Sequence, residues 1–213
     1  MHGIRNIYCV GRNYRLPAKA HEETASALEI PMSPLLFSKP THAFVEVQGQ
    51  EFVLPGNRGV VEYEVELVIR IGQLYKPGIQ IDELVDGLAV GIDFTLGDIH
   101  RELKAMSYPW LLAKGFPGSA AASPFMPFTG VEACRKLDFS LVHNGKRVQI
   151  GNIRNMIFDL QTIIDFTALH FGLGAGDVIF TGTPGGAGAV TDGVHMSLCW
   201  GEQQVGDCRL RLS

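Results

Sequence analysis

The chain has 213 residues, of which 46% are hydrophobic and 19% are charged, and its formal net charge is −4. A chain of this length can bury a sizeable core, and without a Lys/Arg cluster its diffuse acidity argues against nucleic-acid and anionic-membrane partners. The first residues lack the apolar core of a signal peptide, and no apolar run approaches the roughly 18 residues of a membrane span. We therefore expect a cytoplasmic globular protein with neither partner.

The 25 glycines and 11 prolines separate short apolar runs, a pattern that favours many strands and tight turns over helices. The first strands are predicted over residues 4–10, 34–40 and 51–55. Between the first two, Pro17 begins a short polar helix that runs to Ala25. Because this segment offers little apolar surface for packing, we predict a lid over about residues 14–30 that orders around a ligand.

The next strand, residues 60–72, carries an acidic face. Successive side chains of a strand point to opposite faces, so Glu62, Glu64 and Glu66 share one face while apolar residues line the other. Neighbouring carboxylates repel each other, and burying them unpaired is costly. Two interpretations stay open: an edge strand with a solvated acidic face, or a cation site whose remaining oxygen ligands come from elsewhere.

A helical turn at residues 81–84 precedes an apolar strand over residues 87–95 that contains a single charge, Asp93. A lone Asp in such a strand usually bonds backbone amides, pairs with a cation or binds a metal. If the two strands are neighbours, Asp93 joins Glu64 and Glu66 in an all-oxygen set. Such a set suits Mg²⁺ or Mn²⁺, and less often Ca²⁺, rather than zinc.

Two cationic or titratable side chains follow Asp93. Thr95 and Asp98 have the spacing of a capping box, which predicts a helix over residues 98–106 that presents His100. Lys114 is a single cation in an apolar stretch, and such a lysine usually extends to the surface.

The remaining elements are mostly strands. Asn144-Gly145 supplies the two positive-φ positions of a type I′ turn and predicts a hairpin over residues 141–148. The glycine-rich loop at residues 181–188 lacks a P-loop ending, so it is either a plain turn or a nest of N–H groups that holds an anion with the Thr183 hydroxyl. We also predict a helix over residues 156–169 and strands over residues 175–180, 194–200 and 208–212, the last two antiparallel.

The four cysteines, Cys9, Cys134, Cys199 and Cys208, are scattered without a C-x-x-C pair. This spacing indicates reduced thiols rather than a disulfide framework or a zinc site. No basic partner in the sequence marks any of them as a nucleophile.

Several short motifs occur in the order seen in one enzyme family. They are Asn13-Tyr14, residues 34–40, residues 62–67, Asp93-Phe94-Thr95 with Asp98, residues 109–116 and residues 181–184. From about residue 7 to the C-terminus, the chain resembles the fumarylacetoacetate hydrolase family. It is most similar to the short members, which include acylpyruvate hydrolases, oxaloacetate decarboxylases and isomerases.

The resemblance implies an α+β, mainly β fold: a mixed β-roll with a few short helices, forming one catalytic domain over residues 1–213 and a homodimer. It also implies Mg²⁺ or Mn²⁺ held by Glu64, Glu66 and Asp93. Lys114 and Thr183 fall on positions that contact substrate in the family, and we add Tyr14, His100 and Gly182 as candidate substrate contacts. A metal that chelates an α-keto acid can stabilise an enolate, and Lys114 would add positive charge beside it.

The chain departs from the family in two places. The family pattern Asp-x-Thr-x-Arg-Asp-x-Gln has Gly97 here for the arginine and His100 for the glutamine, so a cation is lost and an imidazole is gained. The family's His-x-x-Glu dyad, which activates water, is displaced in the lid. His21 is the histidine of that segment, and Glu22 or Glu23 is its candidate partner as a catalytic dyad.

We therefore expect a metal-dependent enzyme that cleaves a C–C bond in a small β-diketo or α-keto acid, by hydrolysis if His21 serves as the base. The alternative at the same metal is oxaloacetate-type decarboxylation or keto–enol isomerisation, which needs no activated water. An alternative of another class is a non-catalytic protein that binds a metal and a keto acid, which Gly97 and the displaced dyad would explain.

Overall fold

The computed structural model describes residues 3–15 and 31–213, and helices and strands are numbered along that part of the chain. The strands are β1 (Ile7–Gly11), β2 (Leu35–Lys39), β3 (Phe44–Glu46), β4 (Glu51–Leu54), β5 (Val61–Ile71), β6 (Val85–Leu96), β7 (Ala120–Ala122), β8 (Met126–Pro127), β9 (Phe139–His143), β10 (Lys146–Gly151), β11 (Val178–Phe180), β12 (Gly188–Ala189), β13 (His195–Trp200) and β14 (Gln203–Leu212). The helices are α1 (Ile81–Leu84), α2 (Gly97–Ala105), α3 (Leu111–Lys114), α4 (Val131–Cys134) and α5 (Leu160–Phe171).

Strands of both directions build two sheets. The larger has the order β2-β1-β11-β5-β6-β7-β3, with β12 added to β5 and β8 to β6, and the smaller has the order β10-β9-β13-β14-β4. The pairs β1/β11, β3/β7 and β4/β14 are parallel, and the other strand pairs are antiparallel. The expected mixed, mainly β fold with a few short helices is thereby confirmed.

The central feature of the larger sheet is the long antiparallel pair β5–β6, in register from Val61 opposite Leu96 onward. Leu67 and Val68 point to opposite faces of β5 and are both fully buried, in two separate apolar clusters. A strand covered on both faces cannot carry a solvated acidic side along its whole length. The edge-strand interpretation of β5 is therefore wrong, because β11 and β6 flank it.

Several predicted boundaries shift for local reasons. Thr95 lies within β6 and does not cap a helix, so the capping-box prediction is wrong; α2 begins at Gly97 without a side-chain cap. α5 begins at Leu160 rather than residue 156, because Asp159 accepts a hydrogen bond of 2.8 Å from Thr162 N and caps the helix there. β1 and β11 each begin three residues later than predicted.

Other predictions are confirmed. Asn144 and Gly145 have φ values of 48° and 81°, as a type I′ turn requires, and they join β9 to β10. The last two strands, β13 and β14, pair antiparallel, and residues 81–84 form a helical turn.

The cysteines in this fold are free, as predicted. Burial raises the pKa of Cys134 to about 11 and that of Cys208 to about 12, so neither favours the thiolate form. Among the described residues no helix is long and apolar enough to cross a membrane.

Most of the predicted lid, residues 16–30, lies outside the described part of the chain, together with the predicted helix from Pro17 to Ala25. His21, Glu22 and Glu23 belong to this stretch, so their assignment as a catalytic dyad stays a prediction.

Candidate active site

One cavity of about 410 Å³ collects most of the predicted site residues. Its walls come from β1, β2, β5, β6, α2, α3 and the glycine-rich loop. The predicted residues that line it are Glu64, Glu66, Asp93, His100, Lys114 and Thr183. Tyr14 and Gly182 do not line this cavity, and Tyr14 lines a different one together with Gln149 and Pro184.

The register of β5 and β6 explains why the carboxylates meet. Glu64 lies directly opposite Asp93, and Glu66 lies two residues further along the same face, opposite Gly91. A Cβ on Gly91 would lie 2.6 Å from a methyl group of Val68, so this position accepts no larger residue without repacking. The prediction that the two acidic strands are neighbours is confirmed.

Lys114 connects the two opposing carboxylates. Its Nζ lies 2.6 Å from Glu64 Oε2 and 2.8 Å from Asp93 Oδ2, and the residue is 3% exposed. The expectation that this lysine extends to the surface is therefore wrong. Burial alone would lower the pKa of Lys114, but the Asp93 and Glu64 carboxylates outweigh it and raise the pKa above its ordinary value. Lys114 is a fixed cation at the cavity wall.

A second lysine, Lys39 at the end of β2, holds the other side of Asp93 and was missed by the sequence reasoning. Its Nζ lies 2.7 Å from Asp93 Oδ1. Burial favours the neutral form of Asp93, but Lys114 and Lys39 together lower its pKa below the ordinary value. The available signal was a lysine at the end of an otherwise apolar strand. The sequence does not show that the Lys39 side chain reaches Asp93 of β6, which lies four positions from β2 in the strand order of the sheet.

Within the described residues no lysine forms an ion pair with Glu66. It is 2% exposed, and it accepts a hydrogen bond of 2.8 Å from Gly182 N. Burial, followed by the charges of Asp93 and Glu64, raises the pKa of Glu66 well above its ordinary value. A carboxylate in this position needs another positive charge to stay ionised.

Polar groups of the glycine-rich loop mainly form hydrogen bonds with β5. The Gly182 amide serves Glu66, and the Thr183 hydroxyl donates to Val65 O at 2.9 Å. Gln149, also missed from the sequence, reinforces this arrangement by accepting from Val65 N at 2.8 Å and donating to Thr183 Oγ1 at 3.1 Å. Both donors proposed for an anion nest thus have internal acceptors, although Thr183 also lines the cavity.

His100 projects from α2 into the same cavity. Its ring packs edge-on against Trp110 with centroids 4.9 Å apart, and its buried Nε2 has no hydrogen-bond partner among the described residues. Burial, followed by the charges of Lys114 and Lys104, lowers the pKa of His100 to about 4. The imidazole is therefore neutral near pH 7, and it offers the cavity a hydrogen-bonding group rather than a charge.

Tyr14 is 7% exposed, and its ring packs edge-on against Phe139. Its hydroxyl has no hydrogen-bond partner within residues 3–15 and 31–213. Burial, with the nearby Glu66 charge, raises the pKa of Tyr14 well above its ordinary value, so it is a neutral phenol. A direct substrate contact by Tyr14 stays a prediction.

Gly97 stands where the family pattern has arginine. A Cβ there would lie 2.3 Å from Glu62 Oε1, so a side chain at this position must displace the Glu62 carboxylate. Arg101, one helical turn later, contacts Glu62 Oε1 at 2.9 Å and Asp98 Oδ1 at 2.5 Å. The Arg101 guanidinium thus faces Glu62 and Asp98 rather than replacing the family arginine at the position of Gly97.

The donor set fits a hard divalent cation. The described residues hold no group of His, Cys, Asp and Glu side chains already arranged as a metal site, and Lys114 lies between Glu64 and Asp93. Even so, three carboxylates line the cavity, and within the described residues buried Glu66 has no ion-pair partner. Carboxylate oxygens are what Mg²⁺ and Mn²⁺ prefer, so Glu64, Glu66 and Asp93 are the residues that would hold such an ion.

A mixed β-roll whose central strands present carboxylates and a buried lysine to one cavity defines a class of enzymes that act on small, chelating substrates. The chain belongs to the fumarylacetoacetate hydrolase family, since the family's sequence model, described as fumarylacetoacetate (FAA) hydrolase C-terminal, matches residues 6–212. The resemblance inferred from the ordered motifs is confirmed, and the protein is an enzyme of this family.

Named relatives are similar over most of their length. Oxaloacetate tautomerase YcgM of Escherichia coli is 34% identical over 200 residues, which cover 92% of this chain and 88% of the relative. The mitochondrial oxaloacetate decarboxylase of Dictyostelium discoideum is 34% identical over 89% of this chain and 85% of its own. Among solved structures, fumarylpyruvate hydrolase from Pseudomonas aeruginosa in complex with Mn²⁺ and pyruvate has a TM-score of 0.84 at 33% identity, covering 99% and 91%.

Proposed function

We propose that this enzyme catalyses keto–enol tautomerisation of oxaloacetate or a similar small α-keto diacid, with Mg²⁺ or Mn²⁺ held by Glu64, Glu66 and Asp93. The observation that carries the proposal is the Lys114 ammonium, fixed between Glu64 and Asp93 at the cavity wall. The names of the relatives, an oxaloacetate tautomerase and an oxaloacetate decarboxylase, support this chemistry over hydrolysis.

A divalent cation bound at the three carboxylates supplies Lewis-acid polarisation of a chelating keto acid. Loss of a proton to solvent water from the carbon beside the keto group leaves negative charge on the keto oxygen, and protonation of that oxygen by water gives the enol. The residues of the chain stabilise the negative charge that develops between these two steps. Lys114 places a positive charge beside it in a site with little access to water, where such a charge is most effective. The neutral imidazole of His100 adds a hydrogen bond to the substrate, and Thr183 lines the same cavity.

Decarboxylation of the same substrate is the nearest variant, because loss of CO₂ passes through the same enolate charge. The distinction lies in the product. Tautomerisation changes the enol absorbance without forming pyruvate, whereas decarboxylation yields pyruvate and CO₂. Assays of both signals with oxaloacetate, in the presence of Mn²⁺, separate the two reactions.

Hydrolysis of an acylpyruvate is the second candidate function. The specific support for it is the structural likeness to a fumarylpyruvate hydrolase. This reaction requires activated water, for which His21 with Glu22 or Glu23 is the proposed base. A His21→Ala variant that loses acylpyruvate cleavage but retains tautomerisation would assign the dyad to hydrolysis, while unchanged cleavage would remove it from the mechanism.

The experiment that tests the main proposal combines binding with turnover. Thermal shifts with Mn²⁺ and oxalate, an enolate mimic, should show stabilisation, and the same protein should accelerate the enol–keto conversion of oxaloacetate. Binding of both ligands without any turnover of a keto-acid panel would instead favour the non-catalytic binding protein.

We further propose that residues 1–213 act as one catalytic domain, that the enzyme is a homodimer, and that it is cytoplasmic. Analytical ultracentrifugation of the purified chain tests the dimer, and fractionation of the cells that express it tests the compartment.

A further inference from the structure

Lys39 is a buried charge that the proposed chemistry does not use directly. Its side chain is 0% exposed, and it does not line the cavity. It belongs to β2, at one edge of the larger sheet, whereas its partner Asp93 belongs to β6, near the middle of that sheet. A lysine buried this completely has to be held by specific partners, because burying an unpaired ammonium is prohibitively costly.

The partners of Lys39 all lie around the Asp93–Lys114 contact. Its Nζ donates to the carbonyl of Phe94 at 3.2 Å and to the carbonyl of Lys114. The same ammonium lies 2.7 Å from Asp93 Oδ1, an oxygen without an aligned hydrogen bond. Ser119 Oγ adds a hydrogen bond of 2.7 Å to the Lys114 carbonyl.

Through these contacts Lys39 holds two residues of the cavity wall, Asp93 and Lys114, although it does not line the cavity itself. The Lys39 ammonium is hydrogen-bonded to the carbonyl of Phe94, next to Asp93, and to the carbonyl of Lys114. It therefore constrains the distance between Asp93 and Lys114. Because its charge faces Oδ1, the other oxygen of Asp93, Oδ2, is left to Lys114 on the cavity side. Lys39 therefore acts on the site through Asp93 and Lys114 without touching it.

We propose that Lys39 is a positioning residue of the active site, which fixes the Asp93 carboxylate and the Lys114 backbone in the arrangement that binds a divalent cation. This inference rests on the proposed function, since it assumes that Glu64, Glu66 and Asp93 hold the cation.

The direction in which Mn²⁺ affinity changes distinguishes a positioning role of Lys39 from a purely electrostatic one. Two like charges repel, so removing an ammonium close to a cation site should by itself tighten Mn²⁺ binding. Loss of positioning has the opposite effect, because the carboxylate is then free to turn away. We expect Lys39→Met to weaken Mn²⁺ binding about tenfold or more, an effect of the size seen when support of a ligand is removed.

The experiment is a calorimetric titration of the full chain with Mn²⁺, with circular dichroism to establish that each variant is folded. Lys146→Met, an exposed lysine of the β9–β10 turn, is the matched control and should bind Mn²⁺ like the wild type. Lys104→Met removes a cavity-lining lysine that has no ion pair within the described residues, and it should bind Mn²⁺ as well as or better than the wild type.

Equal or tighter Mn²⁺ binding by folded Lys39→Met would overturn the inference while leaving the proposed function in place. Absence of Mn²⁺ binding by the wild type would overturn the proposed function together with the inference. If Lys39→Met does not fold, Lys39→Gln, which keeps a donor but no charge, is titrated in its place. Weaker binding by this folded variant would support positioning, and undiminished binding would overturn it.

Discussion

Two clusters of ion pairs include carboxylates of the β5–β6 pair. We call Lys39, Glu64, Asp93 and Lys114 the inner cluster, and Glu62, Asp98 and Arg101 the outer cluster. In the inner cluster Asp93 and Lys114 have side chains 1% and 4% exposed, whereas Arg101 and Asp98 in the outer cluster are 60% and 48% exposed. The ion-pair distances are similar, so burial is the main difference between the clusters.

That difference decides what each cluster can do. Exposed pairs contribute about 0–1 kcal/mol, because water and salt screen them. Removing one partner of a buried pair costs about 3–5 kcal/mol, since the other charge is left uncompensated. We infer that the inner cluster keeps the side chains of the candidate site in place, whereas the outer cluster attaches the start of α2 to β5. Four changes test this contrast, beginning with the largest expected effect.

Asp93→Asn breaks the inner cluster at its centre. Lys39 then loses its counter-charge, and we expect the free energy of unfolding to fall by about 3–5 kcal/mol. Urea denaturation measures this loss, and Mn²⁺ titration of the folded protein should show that cation binding is abolished. Intact Mn²⁺ affinity in this variant would remove Asp93 from the metal site.

Lys114→Met removes the cation at the cavity wall but leaves the three carboxylates. We expect turnover of oxaloacetate to fall about 10²–10³-fold, as for loss of one group that stabilises developing negative charge. Mn²⁺ should still bind, because one positive charge fewer lies near the carboxylates. Steady-state kinetics with a parallel Mn²⁺ titration separates the two roles, and a variant with unimpaired kcat would contradict the role given to Lys114.

His100 lies between the two clusters on α2, and its effect should appear in the pH dependence of stability. Its pKa is about 4 in the folded protein and 6.5 ordinarily, so the unfolded chain binds the extra proton between these values. The contribution of His100 to the free energy of unfolding is thus fully present above pH 6.5 and is lost as the pH falls towards 4.

The matching variant is His100→Gln, which restores the family residue and cannot titrate. Thermal denaturation across pH 4 to 6.5 should show a shallower loss of stability in this variant than in the wild type. Parallel curves for the two proteins would show that the imidazole titrates as it does in the unfolded chain.

Arg101→Met tests the outer cluster and should have the smallest effect. We expect the smallest change in stability of the four variants, because the Arg101 and Asp98 side chains are exposed to solvent and screened by it. Turnover should not change, and the small difference should shrink further in high salt, which screens exposed charges. A loss as large as that of Asp93→Asn would mean that burial does not distinguish the clusters.

Much of the fold and the site could be predicted because the signals are local. The alternation along β5 and the single charge in the strand predicted over residues 87–95 identified Glu64, Glu66 and Asp93, and the Asn144-Gly145 pair identified its turn. The capping box failed because Thr95 lies inside β6, where its hydroxyl donates to Glu64 Oε2 at 3.2 Å, and α2 begins only at Gly97. A local motif was thus overridden by a neighbouring strand.

The sequence by itself determined the residue types of the site, the strands that carry them and the family to which the chain belongs. These follow from periodicity, turn chemistry and motif order, which involve residues close together in the chain. Only the tertiary structure decided which charges are buried and paired. Lys39 contacts Asp93 of β6, which is 54 positions away in the chain, and Gln149 contacts Val65 of β5, which is 84 positions away. Such contacts depend on how the sheets curl around one core, because burial makes a charge costly unless the fold brings it a partner.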